Sequence, residues 1–190
     1  MYIGKPCDLE TVDIPNGVTT IAAYGFQGCV SLKSVTIPAS VTTIGSSAFQ
    51  YCYNLKSITV PNGVKVLPAN FVMYCYSLTE VNLPNTITAT TANYSLAYCY
   101  SLDTVVLPDS LKTIGAYCFY NDTALSHITI PSGVTAINSY AFRYCYSLKS
   151  IYMMSSTPPS LNANAFNDIG TEYKIYVPAA SVDTYKAATN

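Results

Sequence analysis

The chain has 190 residues, of which 50% are apolar and 10% are charged, with a formal net charge of −1 at pH 7. This length suits one domain with a continuous core. The nine Lys and Arg residues are scattered and form no basic stripe, and no apolar run approaches the roughly 18–20 residues that cross a bilayer, so neither nucleic-acid binding nor membrane insertion is predicted.

Residues 1–8 resemble the tail of a repeat, because Cys7 lies close to the position that Cys29 takes before Leu32. The opening MYIGKPC has neither the charged n-region nor the apolar h-region of a secretory signal. We therefore expect residues 1–8 to be a partial repeat or a truncated N-terminal end, in a protein that is either not exported by that route or longer than this chain. The N-terminal cap that a solenoid needs is then missing or supplied by a partner.

Residues 9–154 are organised by a leucine that recurs at nearly constant spacing, with five gaps of 23 residues and one of 24. These leucines are Leu9, Leu32, Leu55, Leu78, Leu102, Leu125 and Leu148. A period in this range is typical of a solenoid, in which one short unit is stacked many times. We predict a β-dominated solenoid of about seven 23-residue coils with stacked parallel strands.

Each unit contains two short extended segments joined by tight corners. Apolar, mostly β-branched residues stand three and five positions after the leucine, as Val35 and Ile37 do after Leu32. This alternation predicts a strand. Pro38 then ends regular pairing, and a second apolar stretch leads to an aromatic residue, here Phe49. We predict that the first segments form one parallel sheet along the whole solenoid, with strands about 4.8 Å apart.

The fourth unit, which begins at Leu78, departs from this pattern. In it the sequence TITATTANY replaces the apolar spacing with threonines, and the unit also carries the extra residue. An inserted residue beside a depleted core predicts a looser coil. That coil is either a hinge or the product of sequence drift.

Residues 155–190 are predicted to form a last irregular repeat and a C-terminal cap. Pro158 and Pro159 break the period, and the sequence KIYVP adds one more strand. Val182, Tyr185 and Ala188 then fall on one face of a short helix. Such a helix can turn its apolar face to the last coil and its polar face to solvent.

Units of the form L-x-x-V-x-I-P-x-x-V-x-x-I-G-x-x-A-F-x-x-C resemble the leucine-rich repeats of BspA-like bacterial surface proteins. Residues 32–54 and 125–147 match almost throughout, and YVPAASVDTYKAA looks like the segment that ends such arrays. The resemblance covers essentially the whole chain. It implies a parallel β-rich solenoid, usually exported to the cell surface, often part of a larger protein, and associated with adhesion to host proteins or other cells. It brings no catalytic residues to carry over.

Cysteine recurs in one slot of successive units, which Asp122 takes in the fifth unit, while Cys118 lies four residues before that slot. The cysteines of this slot are Cys29, Cys52, Cys75, Cys99 and Cys145. We interpret them as buried thiols that fill the core. Disulfides or a metal site are the alternative, which parallel Cβ vectors and the spacing of 23 or 24 residues disfavour.

Tyrosine is in excess, at 18 residues with no tryptophan. Many tyrosines flank the cysteine slot in a Y-C-Y motif, and if the cysteine points inward both neighbours point outward, which predicts two columns along one edge. These ligand-binding candidates are Tyr51, Tyr53, Tyr74, Tyr76, Tyr98, Tyr100, Tyr144 and Tyr146, with Tyr120 and Tyr140 in the same region. The columns either bind a ligand or stack on one another and stiffen the solenoid.

The outward positions of the first segments form a second candidate surface, rich in hydroxyl groups and nearly uncharged. It contains the only histidine, His127, and Tyr152. This face is either a solvated sheet surface or a hydrogen-bonding platform for a glycan or peptide. Nothing in the sequence makes a catalytic triad, a Gly-rich phosphate loop or a metal-ligand pattern, so no enzyme, cofactor or metal is predicted.

We predict a non-catalytic binding or adhesion module of a bacterial surface protein. It would present an extended surface to host proteins, glycans or other cells, beside neighbouring domains of a larger protein. The alternative is a structural or receptor-binding component of a larger assembly, such as a phage tail appendage, which needs no signal peptide.

Overall fold

The structure is a computed structural model that describes residues 8–90 and 93–188. The described chain winds into a β-solenoid of about seven parallel coils with a short C-terminal helix. Residues 1–7, including Cys7, lie outside the described residues, so the partial repeat expected at residues 1–8 stays a prediction.

Two rows of short strands run along the solenoid, and every strand pair is parallel. The first row, which we call the sheet face, consists of β1 (Thr11–Asp13), β3 (Ser34–Thr36), β5 (Ser57–Thr59), β6 (Glu80–Asn82), β9 (His127–Ile130), β11 (Ser150–Met153) and β13 (Lys174–Tyr176). The second row consists of β2 (Thr20–Ile21), β4 (Thr43–Ile44), β7 (Ala89–Thr90), β8 (Thr113–Ile114), β10 (Ala136–Ile137) and β12 (Ser160–Leu161). Equivalent residues of adjacent coils pair, as Val12 does with Val35, which confirms the predicted stacking.

The prediction of one uninterrupted sheet was wrong. The strands of the sheet face pair in three separate groups, β1 with β3, β5 with β6, and β9 with β11 and β13. Thr104–Val106, the expected strand of the fifth coil, forms no strand. The fourth coil has one residue more than its neighbours, and Thr104–Val106 is the first sheet-face segment after it. Strand pairing tolerates no fractional shift in register, so an offset coil interrupts the ladder.

The core is a stack of apolar side chains, one set from each coil. Six of the seven repeat leucines, from Leu32 to Leu148, are fully buried, whereas Leu9 is 54% exposed. Phe119 stacks on Phe142 with ring centroids 5.1 Å apart, and Phe142 stacks on Phe166 at 5.0 Å. Adjacent coils thus hold each other by direct contact between equivalent side chains.

Phe71 fills the core where the third coil lacks the usual phenylalanine. The equivalent position is occupied by Val72, and Phe71 lies one residue earlier. The Phe71 ring is buried and meets Phe49 edge-on, with centroids 5.8 Å apart and planes at 85°. An aromatic ring therefore reaches the core of this coil from the neighbouring position.

The second row of strands continues through the fourth coil. β7 pairs with β8, and Val66 forms an isolated bridge to Ala89. Residues 91 and 92, at the centre of the threonine-rich segment, lie outside the described residues. The looseness expected there stays a prediction.

The C-terminal cap consists of a 3₁₀ turn, Ala179–Ser181, and the helix α1, Val182–Ala188. Tyr185 packs partly buried against the core, and its hydroxyl donates a hydrogen bond to the Ser155 carbonyl at 3.1 Å. Val182, which was expected on the same buried face, is 37% exposed. Neither described helical segment is long and apolar enough to cross a bilayer.

Candidate functional site

The cysteine slot fixes the direction of the residues beside it. Cys52, Cys75, Cys99 and Cys145 are buried free thiols whose Sγ atoms donate to main-chain carbonyls 26 or 27 residues earlier, as Cys75 does to Phe49 at 3.2 Å. Burial raises the pKa of Cys75, Cys99 and Cys145 well above the ordinary value, so they stay protonated. Because each thiol points inward, the residues before and after it turn outward, as predicted.

The flanking tyrosines form two stacked rows in the second to fourth coils, which we call the tyrosine rows. In one row Tyr51 stacks on Tyr74 at 4.9 Å, and Tyr74 on Tyr98 at 4.4 Å. In the other row Tyr53, Tyr76 and Tyr100 stack at 4.9 Å with planes within 2°. Within each coil the two rings meet edge-on at about 6.2–6.3 Å.

Tyr144 and Tyr146 lie apart from these rows, because Asn121 and Thr123 occupy the flanking positions of the fifth coil. Tyr120 bridges the gap, with its ring 5.5 Å from Tyr98 and 5.2 Å from Tyr144. The eight predicted tyrosines therefore belong to one aromatic surface that is interrupted at a single coil.

A third row was missed by the sequence analysis. Tyr94 stacks on Tyr117 at 4.5 Å, and Tyr117 on Tyr140 at 5.1 Å. Tyr120 touches this row too, with its ring 5.5 Å from Tyr117. The recurrence of these tyrosines at 23 residues was visible in the sequence, but only Tyr140 was considered, because the other two flank no cysteine.

Eight tyrosines of residues 8–90 and 93–188 adopt the left-handed backbone conformation, with φ between 57° and 66°. They are Tyr24, Tyr51, Tyr74, Tyr94, Tyr98, Tyr117, Tyr140 and Tyr144. This region favours Gly, Asn and Asp, and a bulky residue held there costs on the order of 1–3 kcal/mol. Tyrosine is thus placed where the local backbone disfavours it.

Other coils show which residues the same backbone positions otherwise carry. The position of Tyr51, Tyr74, Tyr98 and Tyr144 is taken by Gly28, Asn121 and Asp168 in other coils, and all of these have positive φ. The position of Tyr94, Tyr117 and Tyr140 is taken by Ser47, Asn70 and Asn164, also with positive φ. Local backbone preference therefore does not explain the tyrosines, which leaves packing or binding as the reason for them.

The phenol groups of this surface are neutral over the physiological range. Loss of solvent raises the pKa of Tyr98, Tyr76, Tyr94 and Tyr120, and neighbouring phenols raise it further. Each hydroxyl can therefore donate and accept a hydrogen bond. Arg143 adds a positive charge, with its guanidinium 4.5 Å from the centre of the Tyr144 ring and its Nε 2.8 Å from Asp168 Oδ2.

His127 and Tyr152 lie on the sheet face and not among the tyrosine rows. Both are exposed, and Tyr152 stacks on Tyr176 at 4.7 Å. The His127 ring lies 3.2 Å from Thr104 Oγ1 and 3.0 Å from Ser126 Oγ, while Asp103 accepts a hydrogen bond from Ser126 rather than from the histidine. Within the described ranges, no group of three or more His, Cys, Asp or Glu residues is placed to hold a metal ion.

Comparison with known families gives a match along nearly the whole chain. The family model described as "BspA type Leucine rich repeat region" matches residues 2–94 and 74–187, with six copies of the repeat. No curated protein matches the sequence.

Several solved bacterial structures are similar to this one. A leucine-rich repeat protein from Eubacterium ventriosum has 28% identity and a TM-score of 0.75 over 87% of this chain and 44% of its own. The T. pallidum leucine rich repeat protein has 26% identity and a TM-score of 0.75, over 96% of this chain and 85% of its own. A leucine rich cell surface protein from Faecalibacterium prausnitzii has 26% identity and a TM-score of 0.59, over 88% of this chain and 56% of its own. This chain spans less than half of the Eubacterium protein.

Proposed function

The chain belongs to the BspA-type leucine-rich repeat family, and from this premise we propose that it is a non-catalytic adhesion module that binds a protein on a host or neighbouring cell through its tyrosine rows. Leucine-rich repeats of this kind are generally protein-binding modules of bacterial surface proteins. The proposal places this activity on a named surface of the solenoid.

The observation that carries the proposal is the placement of tyrosine at backbone positions that suit Asn, Asp or Gly. Stacking returns about 0.5–1.5 kcal/mol per aromatic pair, while each left-handed tyrosine costs on the order of 1–3 kcal/mol. The rows therefore bring little net stability. Tyrosine is an efficient recognition residue, because it offers a large contact area and a polar tip with few rotamers to fix.

A protein ligand fits this surface better than a glycan does. Inside the rows the ring faces cover one another at 4.4–4.9 Å, so they are closed to a sugar ring that would stack on them. Ring edges and hydroxyl groups remain, and they suit the mixed apolar and polar contacts of a protein interface. Tyr53, Tyr76 and Tyr100 are each 36–40% exposed and present these edges to solvent.

The test compares the wild type with a variant that copies the fifth coil. In the variant, Tyr74 and Tyr98 become Asn, as at position 121, and Tyr76 and Tyr100 become Thr, as at position 123. Both proteins are applied to an array of purified host extracellular-matrix and bacterial surface proteins and to a glycan array. We expect wild-type binding to one or more proteins, weakened at least about thirtyfold in the variant, because a single interface hot spot contributes ~2 kcal/mol or more.

The control is circular dichroism, which should show the same β-rich spectrum for both proteins. Equal binding by wild type and variant would move the site to another face. Binding only to glycans, lost with the tyrosines, would keep the site and reject the protein ligand.

A further inference from the structure

The sheet face is open at the fifth coil. Across residues 8–90 and 93–188, no main-chain hydrogen bond joins Thr104, Val105 or Val106 to β6 or β9. The last main-chain link before this segment runs from the Ser126 N–H to the Asp103 carbonyl at 3.0 Å. Main-chain donors and acceptors that a ladder normally pairs are therefore left for water or a ligand.

Two clefts flank this open segment. A cleft of about 680 Å³ lies between Thr104–Leu107 of the fifth coil and residues 127–132 of the sixth. A second cleft of about 440 Å³ lies on the other side, against residues 79–83 of the fourth coil. The open main chain is thus reachable from both sides, and each cleft is large enough for a side chain.

The lining of the clefts defines the occupant. Val106 is 80% exposed in a position where other coils carry Thr36, Thr59 or Thr129, and Met154 at the rim is 56% exposed. Glu80 and Asp109 line the two clefts, and no Lys or Arg does. The site therefore combines strand-like hydrogen-bonding groups, apolar contact area and negative charge.

We propose that the open segment Thr104–Val106 binds an extended cationic peptide of a partner protein, in which lysine or arginine alternates with apolar residues. The peptide main chain supplies the donors and acceptors that the interrupted ladder lacks, as in β-strand addition. Its cationic side chains lie by Glu80 and Asp109, and its apolar side chains contact Val106 and Met154. This site is separate from the tyrosine rows.

The experiment is an amide chemical-shift titration of the whole chain with the synthetic octapeptide TKVKTKVK, with TEVETEVE as the control peptide. We expect the lysine peptide to shift signals of residues 104–107 and 127–131, and the glutamate peptide to leave them unchanged. The double variant Glu80→Ser and Asp109→Asn should bind the lysine peptide about fivefold more weakly, since exposed charge pairs contribute modestly.

Both substitutions copy residues at equivalent positions, Ser34 or Ser57 for Glu80 and Asn62 or Asn85 for Asp109, so the fold should persist and the untouched signals report it. Equal shifts with both peptides, shifts confined to other residues, or no shift would overturn the proposal. The variant with Asn and Thr in the tyrosine rows should bind the lysine peptide normally, so failure of the proposed function and failure of this site are distinguishable.

Discussion

Replacing Phe119 with alanine is expected to lower the free energy of unfolding by about 3–5 kcal/mol, the usual cost of emptying a buried aromatic site. Phe119 is fully buried and stacks on Phe142 at 5.1 Å, at the coil whose sheet-face ladder is interrupted. Since each coil contacts only its neighbours, the cavity weakens both of its interfaces. For a chain of this size, the Tm should fall by about 6–20 °C in a thermal melt followed by circular dichroism.

The matched control is Phe119→Leu, because Leu96 fills the same position one coil earlier and is fully buried. This change should cost less than about 1.5 kcal/mol. A loss below about 1 kcal/mol for the alanine variant would contradict the stacked core.

Replacing Asp122 with cysteine is expected to raise the free energy of unfolding by about 1–3 kcal/mol at pH 7, because it removes a buried polar atom that has no partner. Asp122 is fully buried in the cysteine slot. Its Oδ1 accepts a hydrogen bond from the Cys99 N–H at 2.7 Å, but its Oδ2 has no hydrogen-bond partner. Cysteine fits the position in five other coils, and urea unfolding measures the gain.

Burial raises the pKa of Asp122 well above its ordinary value of 3.8, more than its hydrogen bond from Cys99 lowers it. The folded state thus favours the protonated acid. The stabilisation linked to this proton is fully present below the unfolded pKa and is lost as the pH rises through the folded pKa. The advantage of the cysteine variant should therefore grow from pH 4 to pH 8. An advantage that stays constant with pH would show that Asp122 does not titrate in the core.

The fold could be predicted because the repeated positions state it many times. Leu32 and Leu55 stand one period apart and both are fully buried, and the alternation around Val35 identified a true strand. Phe71 was missed because its ring enters the core from a position shifted by one residue, which a strict repeat reads as outside the aromatic slot. The open segment at Thr104–Val106 was missed because it keeps the same alternation, while the added residue acts from the preceding coil.

The candidate surface was predicted in part for the same reason. Inward cysteines place Tyr74 and Tyr76 outward in any solenoid of this period. Their left-handed backbone could not be read from tyrosine itself, which has no preference for positive φ. The signal lay in the other coils, where Gly28, Asn121 and Asp168 share the position.

The central claim is that the tyrosine rows serve binding and not stability, and the most direct test is urea unfolding of the triple variant in which Tyr51, Tyr74 and Tyr98 become Asn. We expect its free energy of unfolding to stay within about 1 kcal/mol of the wild type, because the relief of three left-handed backbones offsets the lost ring contacts. Tyr24→Asn, at an exposed left-handed tyrosine, serves as a reference for the backbone term alone. A loss of about 3 kcal/mol or more in the triple variant would show that the rows hold the solenoid together, and would contradict the account.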